Sequence, residues 1–207
     1  MSTEMHEHGN VGDDLAFLRA LAEGGGESQR STGAGLVAGG ALYGLQCFVF
    51  SAQGYGLVSL GDTASGVVGF GITVVFLVVL AFIVWRNRDA QEGGVVARAL
   101  SAAFGSAGAA TLAMLCVFGY TALRDKSLAT WLLYPCAVFA LQGAAWMVAW
   151  MLRRRAWLGI VAFGWLGSAI VLSWTISTPP LYALVAGIAL VLFMAVPGWL
   201  MMRPALS

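Results

Sequence analysis

Polar residues in this chain are sparse and bunched, and the stretches between the bunches are long and apolar. Six stretches qualify, at residues 33–53, 64–85, 99–122, 130–152, 157–177 and 180–202. Each matches the roughly 20 apolar residues a helix needs to cross about 30 Å of hydrocarbon. The punctuation between them is Gly61-Asp62, Arg86-Asn87-Arg88-Asp89, Arg124-Asp125-Lys126, Arg153-Arg154-Arg155 and Thr178-Pro179-Pro180, residues that suit turns and helix ends. Short connections predict antiparallel neighbours. Runs such as Thr73 to Trp85 lack the period-two alternation of a barrel strand. The expected fold is therefore all-α: a polytopic membrane protein with a six-helix transmembrane bundle over residues 32–207.

Residues 1–31 break the pattern. Asp13 to Glu23 reads as a short amphipathic helix, capped by Asp13 or Asp14 and ended by Gly24-Gly25-Gly26. Leu15, Leu18 and Leu21 share a face at the 3.6-residue period, and Phe17 flanks Leu21. Eleven residues make a helix that is marginal alone. Three fates are open to it: docking on the arginine-rich loops, docking on a soluble partner, or remaining an undocked tail.

Composition agrees with lipid as the solvent. The chain is 59% hydrophobic and 10% charged, with a mean hydropathy of +0.82, against about 45–50% and 25% in soluble domains. Charge is sorted along it. On alternate sides of the six spans the cations divide nine to two, with Arg124 and Lys126 alone on the poorer side. The positive-inside bias then places both termini in the cytoplasm. Ten arginines against one lysine, with abundant Gly and Ala, suggest a GC-rich bacterial genome, and the six-span pattern then suggests a bacterial inner membrane. The first 30 residues hold six of the ten acids, so this tail lacks the basic polar face of a lipid-adsorbing helix. Arg86, Arg88, Arg153, Arg154 and Arg155 form the expected basic cytoplasmic rim. No cleavable signal peptide or lipidation motif is expected at the N-terminus, because the first 30 residues are acidic and Ser2 replaces the myristoylated Gly.

Within the spans, Trp146 and Trp165 lie deep enough to pack between helices, while the other tryptophans fall near interfaces. Glycine pairs at Gly35/Gly39 and Gly40/Gly44, with Gly105/Ala109 and Gly164/Ser168, have the spacing that lets helices approach closely. Gln46 and Gln142 both count to mid-membrane and form a candidate intramembrane polar pair, either as glue or as the lining of a cavity.

Much chemistry is excluded. Histidine occurs only at His6 and His8, so no histidine-based metal, haem or nucleophilic site is expected in the bundle. No ionisable residue falls inside a span, which argues against ion-coupled transport. No phosphate-binding glycine loop and no nucleic-acid patch is present. Cys47, Cys116 and Cys136 count to the same half of their spans; Cys116 and Cys136 are candidates to face each other across one hairpin. No cofactor is expected. The expected function is non-enzymatic: an integral inner-membrane protein with an interaction or regulatory role, making contact through Leu15, Phe17, Leu18 and Leu21. Its expected partners are the bilayer and a cytoplasmic protein or a second copy of the chain. The alternative is an oligomeric permease, channel or lipid-handling protein for uncharged substrates. The best remnant of an enzyme is Asp62 with Tyr55 and Arg124.

Overall fold

The computed structural model describes residues 30–86 and 95–203, with the backbone alone at Asp62, Val95 and Ala97. The helix expected at 13–23, with Leu15, Phe17, Leu18 and Leu21, lies outside the described residues, as does Arg88. The described chain is helical, with no strand. Helix α1 spans Arg30–Gly54, α2 Asp62–Arg86, α3 Val95–Asp125, α4 Leu128–Arg153 and α5 Ala156–Trp174. A last, continuous rod consists of α6 at Pro179–Leu190, a π-helical segment at Val191–Ala195 and α7 at Val196–Met202. Six helices are thus long and apolar enough to cross a membrane.

The turns are made by local chemistry. Helix α4 begins where Ser127 Oγ accepts from the Thr130 N–H at 3.2 Å, a side-chain cap for an otherwise orphan donor. It ends on Arg154, whose φ of 53° is left-handed and whose N–H donates to Trp150 O at 2.8 Å. Helix α5 stops at Trp174, short of the apolar stretch ending at 177. The residue before Pro179 is pushed out of the helical region, and Thr178 accordingly has φ −125° and ψ 79°. The Thr178 N–H turns back to Thr175 O at 2.9 Å.

The core lies between α4, α5 and the last rod. Trp146 and Trp165 are each 1% exposed, and Leu172 and Ala162 are fully buried. Phe139 meets Trp165 edge to face, with ring centroids 4.7 Å apart, and Phe104 of α3 meets Trp146 at 5.4 Å; such pairs add to plain burial. Helix α1 packs antiparallel to the last rod along glycines. A Cβ on Gly33 would sit 2.6 Å from Gly198 O, one on Gly40 2.5 Å from Ala195 N, and one on Gly54 2.5 Å from Pro180. Gly35 instead turns towards Leu80 of α2, and Gly39 sits between Met194 of the last rod and Phe76 of α2. The contact expected at Gly105 is not made among the described residues, since a Cβ there would meet nothing within 4 Å. Helix α2 rests on α1 through Tyr43 and Phe76, whose ring centroids are 5.2 Å apart, and its apolar window has no buried residue.

These contacts gather the helix ends. Arg30, Arg86, Arg98, Arg153–Arg155 and Arg203 share one end of the bundle, and Arg124, Asp125 and Lys126 mark the other.

Candidate functional site

Polar groups gather at several places in the bundle, three of them beside a proline within a helix or at a helix end. The first is the π-helical segment. Pro197 has no N–H, so it cannot serve Phe193 O four residues earlier. Trp165 Nε1 of α5 donates to that carbonyl at 2.9 Å. The Phe193 ring lies in the space left by Gly164 on the same helix. The wider turn is closed by the Val196 N–H bonding back to Val191 O. A neighbouring helix thus satisfies what proline frees, as apolar surroundings require.

The second is near Pro135 of α4. Tyr182 of α6, 4% exposed, donates from Oη to Leu132 O at 2.6 Å. The Cys136 thiol lies 3.4 Å from the same carbonyl and 3.7 Å from Tyr182 Oη. Among the described residues no carboxylate or histidine is bonded to this cluster. Cys116 is exposed on α3, so Cys136 faces α6 rather than its hairpin neighbour.

The third is the turn joining α4 to α5 at the arginine-rich end. Trp150, Arg154, Ala156, Gly159, Ile160 and Phe163 line an open-sided groove of about 510 Å³. Gly159 lets the Trp150 indole lie against α5, because a Cβ there would be 3.1 Å from the ring. Trp150 and Phe163 meet at 5.9 Å. Arg154 and Arg155 are exposed, and no carboxylate among the described residues pairs with either. Arg203, at the same end, stacks on Trp199 at 3.5 Å, and at the opposite end Arg124 is bound to Asp125 at 2.8 Å.

Among the described residues no hydrogen bond joins Gln46 to Gln142; the Gln46 amide turns towards Gly69 of α2, and its Oε1 is buried without a partner. Residue counting gives depth in a span but not direction around it. Of the basic rim, Arg153, Arg154 and Arg155 stand together at the α4–α5 turn, and Arg86 ends α2 at the same end of the bundle. Sequence reasoning missed the groove and the two carbonyl contacts. Pro197 was the available signal for one of them, because a proline within a span orphans the carbonyl four residues back.

Comparison with known protein families, curated proteins and solved structures found no match to this chain. What the fold defines is a class: an all-helical protein with six helices long and apolar enough to cross a membrane.

Proposed function

We infer that this is a non-enzymatic integral protein of a bacterial inner membrane, with both termini cytoplasmic and an interaction or regulatory role. The acidic helix at 13–23 makes the contact through Leu15, Phe17, Leu18 and Leu21. The observation that carries the reading is the packed core. Trp146, Trp165, Leu172 and Pro197 are the largest fully buried side chains and fill the bundle between its helices. This favours a scaffold over a permease, whose substrate needs a polar route. The collection of cations at one end of the bundle supports the cytoplasmic assignment of that end, where α1 begins.

The partners on this reading are the surrounding lipid and a cytoplasmic protein or a second copy of the chain, with no nucleic acid. Cross-linking and pull-down of the full chain, compared with a form lacking residues 1–31, tests it. The expected result is a partner captured by the full chain, lost on truncation, and lost again with Phe17→Asp and Leu18→Asp at unchanged membrane content. Identical partner sets refute the role of the tail.

A further inference from the structure

The α4–α5 groove has apolar walls and a cationic mouth. Arg154 lines that mouth, and Arg155, exposed between it and the lining residue Ala156, follows it in the turn; neither has a described carboxylate partner. The N-terminus of α5 opens onto the same place, and its cap residue, Arg155, makes no side-chain cap bond. Free N–H groups at a helix start add to the attraction for an anion. The walls below are Trp150, Ile160 and Phe163, the last two 68% and 57% exposed. From Ala156 to Phe163 the groove descends seven residues of helix, about 10 Å at 1.5 Å per residue. The polar headgroup layer is only about 5–8 Å deep on each side of the hydrocarbon. A ligand filling this groove must therefore be anionic at one end and apolar for a length that reaches the acyl region.

We propose that the groove binds one anionic membrane phospholipid, its phosphate held by Arg154 and Arg155 and one acyl chain laid along α5 from Ala156 to Phe163. An acidic amphipathic helix carries the right charge but approaches from water, so it can meet the rim and not the wall at Phe163. The site is independent of the interaction role above, because it requires nothing of residues 1–31.

The test uses the full chain reconstituted in phosphatidylcholine bilayers, with chain-spin-labelled phosphatidylglycerol and phosphatidylcholine as probes and the motionally restricted fraction as readout. The wild type is expected to hold phosphatidylglycerol at least fivefold over phosphatidylcholine, the factor implied by about 1 kcal/mol for a single cation near an anionic surface. Arg154→Gln with Arg155→Gln brings the ratio close to one; Arg124→Gln leaves it unchanged. Ile160→Trp fills the groove at constant charge and lowers the ratio at least twofold. A wild-type ratio of one overturns the proposal, as does a ratio insensitive to the arginines. A ratio that survives Ile160→Trp reduces the effect to diffuse surface attraction and overturns the site. A ratio of one that rises to fivefold only on removing residues 1–29 shows the acidic tail to be the occupant instead.

Discussion

Replacing Gly40 by alanine adds one methyl group where the structure has no room for it. The new Cβ would lie 2.5 Å from Ala195 N, 2.9 Å from Ala195 Cβ and 2.9 Å from Leu190 O. Two of these are backbone atoms that cannot rotate aside, so α1 has to retreat. Ordinary contact begins at 3.4 Å, which makes the shift about 1 Å, enough to forfeit a quarter to a half of each dispersion contact along the seam. Lipid gives no hydrophobic gain to offset this, because association inside a bilayer rests on packing and hydrogen bonds. Overpacking of this kind costs about 1–3 kcal/mol, while alanine recovers up to about 1 kcal/mol of helix propensity. The paired control is Gly108→Ala, at a position with nothing within 4 Å, where only the propensity gain remains. Unfolding in mixed detergent and SDS micelles is expected to place Gly40→Ala about 2 kcal/mol below Gly108→Ala. Equal stability of the two variants would falsify the close-packed glycine seam.

Other outcomes follow from single contacts. Trp165→Phe keeps the ring that meets Phe139 but leaves Phe193 O without its donor, costing about 1–3 kcal/mol in the same assay; adding Pro197→Ala supplies an N–H to that carbonyl and returns part of the loss. Tyr182→Phe removes the 2.6 Å bond to Leu132 O and costs about 0.5–1.5 kcal/mol; a variant as stable as wild type sinks the assignment. Oxidant should produce no Cys116-dependent shift on non-reducing gels, since Cys136 faces Tyr182.

Hydropathy made the six long helices legible because their length and apolar content are properties of the chain alone. The deep positions of Trp146 and Trp165 were legible for the same reason, and both are 1% exposed. What hydropathy conceals is which face of a helix meets protein. The most apolar helix, α2, has no buried residue in its window, while α1, the least apolar, packs its glycines against the last rod. In lipid the apolar surface faces outward, so hydropathy reports lipid contact rather than burial. Gln46 illustrates the gap: its depth was readable, but its turn towards Gly69 was set by the azimuth of α1 on its neighbours. The groove was hidden for a further reason. It depends on Arg154 adopting a left-handed φ of 53°, which arginine rarely does and which no pattern in the triple arginine announces.

The two in-span prolines bear on whether the bundle moves. A proline in a spanning helix is a hinge only if the carbonyl it frees can exchange partners as the helix bends. At Pro197 that carbonyl is held by Trp165 from α5, a residue whose indole is otherwise enclosed by the core. Pro135 frees Trp131 O instead, and the next carbonyl along, Leu132 O, is held by Tyr182 from α6. Bending either helix would break a donor away from its acceptor where no water replaces it, and would drag Trp165 or Tyr182 out of a packed cluster. Both hydrogen bonds therefore act as ties between neighbouring helices. A bundle tied in this way suits a fixed platform, with its variable chemistry at the arginine-rich end, better than it suits alternating access through the middle.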